Sequence, residues 1–190
     1  MKQSRAPSRW VGAGSALLIA LATATTSRAA SPTENGSLEY AVKAAYLSRL
    51  EPFVQWPAAT TTSSSGAVIL CVVGADPFGG LLEQALRGQQ TGRPIVARRL
   101  AKVDRETGCQ ILYAAGSDTQ SVAEALRAVR GKPVLTVTDS ASDAGAGGII
   151  RFVIKDNRVR FAIDDQAASR NGILINSKLM SLAVSVRPRP

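Results

Sequence analysis

The chain has 190 residues, with 23 lysines and arginines against 14 acidic residues and no histidine. The absence of histidine excludes Ser-His-Asp and Cys-His catalytic arrangements, together with the commonest zinc ligand. The length suits one domain. The basic residues form neither a continuous stripe nor a reading motif, so no nucleic-acid partner is predicted.

Residues 1–30 have the pattern of a secretory signal peptide. Three basic residues precede an apolar run of about a dozen residues, which is shorter than the roughly 20 that a membrane-spanning helix needs. Small residues follow at Ser27 and Ala29, as at a cleavage site. We expect cleavage after residue 29 or 30 and export to the periplasm; the alternative is an uncleaved anchor. Cleavage leaves 19 basic and 14 acidic residues, a net charge of +5.

The mature chain begins with residues 31–37, which are small and polar and are expected to form a flexible lead-in. A helix is predicted next, with Ser37 as its cap and an end or kink near Pro52. Its predicted core-facing stripe consists of Leu38, Ala41, Val42, Ala45, Tyr46 and Leu50. A polar loop, residues 60–66, separates this helix from the rest of the domain.

Strand and helix patterns alternate over the middle of the chain. Strands are predicted at residues 68–73 (VILCVV), 95–100, 109–115 and 133–137. The continuous apolar run of the first of these is typical of a strand that helices cover on both faces. Asp76 is the expected cap of the helix after the first strand, and Ser117 or Asp118 that of a later helix. The pattern predicts a single α/β domain whose mixed, partly parallel sheet is flanked by helices.

The C-terminal part predicts a β-hairpin followed by helix. Residues 149–154 (IIRFVI) and 158–163 (RVRFAI) alternate in polarity across a short Asp-Asn turn. A short helix is expected from Asp164 or Asp165. The last predicted helix begins at residue 176 or 177, and its apolar face consists of Leu179, Leu182, Ala183 and Val186. The domain is expected to cover residues 38–187.

Few residues offer chemistry. Cys71 and Cys109 favour a disulfide in an oxidising compartment, with buried free thiols or an intermolecular bridge as alternatives. Asp164 and Asp165 are the adjacent acidic pair; capping is the expected role, and acid–base chemistry the alternative. The other carboxylates are dispersed, so neither a metal site nor a cofactor is predicted. Trp56 is a candidate interface anchor or ligand-pocket residue, with core packing as the alternative.

Five stretches in order resemble the YfiR-like family of periplasmic proteins: residues 42–57, 68–79, 92–100 with 109–115, 133–139, and 147–183. The resemblance implies an α/β fold, a homodimeric tendency and a role without catalysis, as repressor of an inner-membrane diguanylate cyclase. Such proteins act on the cyclase's periplasmic sensor domain and are titrated away by an OmpA-like outer-membrane lipoprotein. Cyclic di-GMP output and biofilm formation then follow envelope or redox stress. Family cysteines matching Cys71 and Cys109 support the disulfide.

The resemblance also implies a partner-binding surface around the C-terminal hairpin and the helix after it. In this sequence that surface would include Ile150, Phe152, Asp156, Ala168 and Arg170. The leading hypothesis is therefore a periplasmic regulator that binds and inhibits a cyclase. The alternatives are a small-ligand binding module with an aromatic pocket near Trp56, and a hydrolase that uses the acidic pair.

Overall fold

The computed structural model of the protein describes residues 32–58, 66–89, 92–140 and 145–190. The predicted signal peptide and most of the loop at residues 60–66 lie outside these ranges. The described elements, in chain order, are α1 (Pro32–Leu47), a 3-10 turn (Glu51–Phe53), β1 (Val54–Gln55), β2 (Val68–Gly74), α2 (Gly80–Arg87), β3 (Ile95–Leu100), β4 (Ile111–Gly116), α3 (Val122–Ala128), β5 (Leu135–Asp139), β6 (Ile150–Lys155), β7 (Arg158–Asp164), α4 (Asp165–Arg170), β8 (Leu174–Ile175), α5 (Ser177–Met180) and β9 (Ser185–Arg187).

Seven of the described strands form one sheet, in the order β3-β2-β4-β5-β6-β7-β9. The first five are parallel, β7 runs antiparallel to β6, and β9 runs parallel to β7. The short strands β1 and β8 form a separate antiparallel pair. The structure confirms the predicted α/β fold with a mixed, mostly parallel sheet.

Helices cover both faces of this sheet, which explains why its central strands are continuously apolar. Successive residues of a strand point to opposite faces. Leu70 and Val72 therefore pack into a core with α1 and α2, whereas Cys71 and Val73 pack into a second core with α3. The two faces of the sheet thus have separate hydrophobic cores.

The C-terminal hairpin is present where the sequence predicts it. Phe152 of β6 pairs with Phe161 of β7. At the turn, Asp156 and Asn157 have φ angles of 51° and 55°. Two consecutive residues with positive φ are typical of the type I′ turn, whose twist matches that of the strands. Asp156 therefore has a conformational role in closing the hairpin.

Several predicted element boundaries were wrong. Residues 32–37, predicted as a flexible lead-in, belong to α1, which begins at Pro32, because proline is well tolerated at the first helical position. Asp76 does not cap α2; its Oδ1 accepts the backbone N–H of Phe78 at 2.8 Å, and α2 begins after Gly79. Val186, predicted on a helix, lies in β9.

The cap of α3 is also displaced from its predicted position. Ser121 caps this helix in a reciprocal capping box with Glu124, instead of Ser117 or Asp118. The Ser121 Oγ accepts the N–H of Glu124, and the Glu124 carboxylate accepts the N–H of Ser121 at 2.9 Å. The serine–glutamate spacing of three residues is the sequence signature of this motif.

Candidate partner-binding surface

Three of the five predicted partner contacts lie in the hydrophobic core and contribute nothing to the surface of the domain. Ile150, Phe152 and Ala168 each have 0 % of their surface exposed. Ile150 and Phe152 lie on the covered face of β6, and Ile154, two residues further along the same face and close to the hairpin turn, is half exposed. Alternation in a strand separates two faces but does not say which one is covered.

Asp156 and Arg170, the other two predicted contacts, are exposed. Asp156 lies at the hairpin turn and Arg170 in the last turn of α4. They stay predictions as partner contacts, and the structure adds a separate apolar surface to which neither of them belongs.

That surface arises because α1 is rotated relative to the prediction. The predicted core-facing stripe includes Leu38 and Val42, but Leu38 is 66 % exposed and Val42 is 36 % exposed. The side of α1 that faces the sheet instead carries Lys43, Ala44 and Leu47, all fully buried. An apolar stripe at helical spacing is normally buried. Here, α1 leaves much of its apolar stripe uncovered.

The exposed side of α1 forms one wall of an apolar groove, here called the α1 groove. Its volume is about 360 Å³. It is lined by Val42, Ala45, Tyr46, Arg49, Leu50, Phe53, Phe161, Leu179 and Leu182. Leu182, just after α5, is 64 % exposed at its edge. A neighbouring depression over the hairpin shares Val42 and Tyr46 and adds Leu38 and Ile154.

The charged residues around this surface are mostly basic. Arg49 lines the α1 groove, and Arg158 and Arg160 line the neighbouring depression. The acidic residue in the lining, Glu39, pairs with Lys43. The surface therefore combines apolar side chains with positive charge, which complements a partner carrying apolar and acidic groups.

A buried ion pair holds α1 in this orientation. Lys43 donates hydrogen bonds to Asp139, at the end of β5, and to Glu39, one turn earlier in α1. Its ammonium also lies 4.6 Å from the centre of the Tyr40 ring. A buried lysine is tolerated only when it is paired in this way. Turning α1 to bury Leu38 and Val42 would withdraw Lys43 from Asp139 of β5, whereas Glu39, on the same helix, would move with it.

The pKa values in this cluster show how strongly it is desolvated. Burial by itself lowers the pKa of Lys43, but its hydrogen bonds to Asp139 and Glu39 outweigh burial and raise the pKa above its ordinary value. Burial raises the pKa of Tyr113, and the nearby Asp139 carboxylate raises it further. Lys43 therefore stays charged and Tyr113 stays neutral at physiological pH.

Trp56 does not line the α1 groove. Its ring lies under the Arg93 guanidinium, whose carbon is 5.5 Å from the ring centre, and Arg93 is bound to Glu51 at 2.7 Å. Its buried indole Nε1 has no hydrogen-bond partner among the described residues. The aromatic side chains that do line an open groove are Tyr46, Phe53 and Phe161.

The acidic pair has structural roles. Asp164 caps α4 by accepting the N–H of Ala167 at 2.7 Å. Asp165 binds the Arg189 guanidinium through both oxygens, at 2.7 and 2.8 Å. Among the described residues no group of acidic or cysteine side chains is arranged to hold a metal ion.

The two cysteines form the predicted disulfide. Cys71 in β2 is bonded to Cys109, which precedes β4, with the two Cα atoms 5.8 Å apart. Both are buried in the core beneath α3. The disulfide therefore lies on the opposite face of the sheet from the α1 groove.

Comparison with known families agrees with this architecture. A family model described as YfiR/HmsC-like matches residues 40–184, roughly three quarters of the chain. The chain belongs to the YfiR/HmsC-like family. Membership implies a periplasmic regulator of a diguanylate cyclase, since YfiR-like proteins are regulatory rather than catalytic. Within the part of the chain that the structure describes, no helix is long and apolar enough to cross a membrane.

The matched region contains every residue that lines the α1 groove. The family resemblance assigned Ile150 and Phe152 of the hairpin to a surface, whereas both are buried, and the sequence pattern assigned the apolar side of α1 to the core, whereas Leu38 and Val42 are exposed. The buried side of α1 includes Lys43. Because a search for apolar stripes leaves lysine out, it selects the wrong side of this helix.

Proposed function

We propose that this protein, exported by a cleaved signal peptide, binds the periplasmic sensor domain of an inner-membrane diguanylate cyclase and inhibits the enzyme. Cyclic di-GMP output and biofilm formation fall as a result. The proposal is carried by one observation: the apolar side of α1 and the facing wall of the groove are uncovered. Leu38 of α1 is 66 % exposed, and Leu182, just after α5, is 64 % exposed. Contiguous apolar surface of this kind is typical of interaction sites.

Inhibition follows if the α1 groove binds one conformation of the sensor domain more tightly than the other. A ligand shifts a conformational equilibrium only by its difference in affinity for the two states. The basic residues Arg49, Arg158 and Arg160 favour a sensor surface with acidic groups around an apolar centre. We expect that surface to be formed in the inactive state of the cyclase.

Release requires a competitor for the same surface. We propose that an OmpA-like outer-membrane lipoprotein binds the protein and thereby withdraws it from the cyclase. One groove accommodates one partner at a time, so the two interactions exclude each other. The protein is also proposed to act as a homodimer, as the family resemblance implies.

The experiment is a pull-down with residues 31–190 on detergent-solubilised inner membrane. We expect capture of a diguanylate cyclase that has a periplasmic domain, identified by mass spectrometry. Leu182→Glu should reduce that capture at least roughly tenfold, because it places a charge in the apolar contact. Val96→Glu is the matched control, since Val96 is 47 % exposed on the edge strand β3, away from the groove.

Two results would contradict the proposal: no cyclase captured by the wild type, or equal loss with Leu182→Glu and Val96→Glu. Circular dichroism of both variants separates lost binding from lost folding. A second candidate function is binding of a small aromatic ligand, favoured by Tyr46, Phe53 and Phe161 in the groove wall. Such a ligand would compete with the cyclase in the same pull-down.

A further inference from the structure

A second concave region combines several arginines with almost no acidic residues. It lies between α3, α4 and the loop before β6, and its volume is about 210 Å³. Arg127 and Arg130 reach it from the end of α3, and Arg170 reaches it from the end of α4. No carboxylate is among its described lining residues. This region is here called the arginine cavity.

An adjoining cavity of about 490 Å³ continues the positive surface. It shares Gly147 and Arg170 with the arginine cavity and adds Arg151 and Arg187. Asp164 is the acidic residue in its described lining, and it lies 3.6 Å from Arg187 while also capping α4. The described lining of the two cavities therefore contains five arginines and one acidic residue.

The three arginines of the smaller cavity are not neutralised by ion pairs with described residues, unlike the arginines that hold the fold together. Arg93 and Arg189 each bind a carboxylate at 2.7 Å, and Arg99 binds two carboxylates. Arg127, Arg130 and Arg170 have no ion pair with any described residue within 4.0 Å. Their charges lie around one concavity, and no described residue supplies a counter-charge there.

The favourable interaction of a cation with the C-terminal end of a helix explains the positions of two of these arginines separately, but not why the three arginines lie around the same cavity. Arg127 and Arg170 are in the last turns of their helices, where a cation is favourable by about 0.3–1 kcal/mol. That effect requires only a position in the last turn. It does not require residues from two different helices to meet at the same cavity, so the convergence calls for a further explanation.

We propose that the arginine cavity binds the phosphoryl group of a phosphate monoester, and that the adjoining cavity holds the remainder of the molecule. A guanidinium presents a planar fork of donors that matches two phosphoryl oxygens. A monoester dianion has three terminal oxygens and a charge near −2 at neutral pH, which suits three converging arginines. The site is separate from the α1 groove and does not depend on the proposed cyclase inhibition.

The test measures glycerol 3-phosphate binding to residues 31–190 by isothermal titration calorimetry at low ionic strength. We expect saturable one-site binding that weakens as pH falls from 7 to 5, since the ester loses its second charge near pH 6. The double variant Arg127→Gln/Arg170→Gln should weaken binding at least roughly tenfold, because it removes two charge-assisted contacts. Arg87→Gln/Arg98→Gln is the matched control, since both residues are exposed and line neither cavity, and it should change binding less than about twofold.

A lipid arm identifies the source of the phosphoryl group. Phosphatidic acid vesicles carry a monoester headgroup, and phosphatidylcholine vesicles carry none. Cosedimentation with phosphatidic acid alone, lost in Arg127→Gln/Arg170→Gln, would support a lipid headgroup as the ligand in the same cavity. The proposal is overturned if neither the soluble ester nor these vesicles bind, or if the control variant loses binding as much as the cavity variant does.

Discussion

Lys43 determines, at the level of a single residue, which side of α1 stays exposed. Its side chain is buried, and its ammonium joins α1 to the end of β5 through Asp139. The neighbouring position, Val42, consequently faces outward into the α1 groove. A polar group in the core specifies orientation where apolar contacts alone leave alternatives. The groove therefore depends on a residue that is not part of it.

Replacing Lys43 by methionine should destabilise the domain by about 3 kcal/mol, because removing one partner of a buried ion pair leaves the desolvated carboxylate side without its counter-charge. Glu39→Gln is the comparison, since Glu39 is partly exposed. We expect it to cost less than about 1 kcal/mol. Urea unfolding at constant m-value measures both. Equal losses in the two variants would show that the pair does not behave as buried.

At the level of elements, short polar motifs set where helices begin. Ser121 and Glu124 form a reciprocal capping box at the start of α3. The upstream candidate, Ser117, instead accepts from the N–H groups of Thr119 and Gln120 at 3.3 and 3.4 Å. Both serines accept backbone N–H groups at 3.3 to 3.4 Å, but only Ser121 is also bound reciprocally to a carboxylate, donating its hydroxyl to Glu124 at 2.7 Å.

Ser121→Ala should lower the free energy of unfolding by about 1 kcal/mol, the usual effect of losing an N-cap. Ser117→Ala should cost less than half of that, because Ser117 precedes the helix and has no reciprocal bond to a carboxylate such as the one between Ser121 and Glu124. Chemical denaturation of the two variants side by side measures the difference. A larger effect at Ser117 would mean that the turn before α3 matters more than its cap.

For the whole molecule, the sheet separates the α1 groove from the disulfide. One face carries α1 and the α1 groove, and the other carries α3 and the core that contains the disulfide. The Cys71–Cys109 bond therefore reaches the groove only through the sheet itself. It stabilises the scaffold on which the groove is built and contributes no atom to the groove.

Sequence patterns predicted this scaffold better than its surface, for a physical reason. The run at residues 68–73 and the hairpin around Asp156 are local signals, and both elements appear where predicted. Strands β1 and β8 have two residues each and β9 has three, and their stability comes from distant partners that no local pattern reveals. Likewise, periodicity places Leu38 and Phe152 on apolar faces, but only packing decides that Phe152 is buried and Leu38 is exposed.

The last prediction concerns redox sensitivity. Cys71 and Cys109 are separated by 38 residues, so their disulfide should stabilise the domain by about 4 kcal/mol through the loop that it closes in the unfolded chain. Both sulfurs are buried, so a reductant should reach them only when the domain opens. We expect phosphine reduction to be slow in buffer and to accelerate with sub-denaturing urea, followed by mass spectrometry of alkylated cysteines.

Cys71→Ala/Cys109→Ala is the control, and its stability should not respond to the reductant. Because the groove lies on the other face, reduction at temperatures where the domain stays folded should leave cyclase capture within about twofold of the oxidised protein, and capture should fall only as the domain unfolds. Rapid reduction of the folded protein, or loss of capture while circular dichroism is unchanged, would contradict this account. Either result would show that the two faces of the sheet are coupled more directly than through global stability.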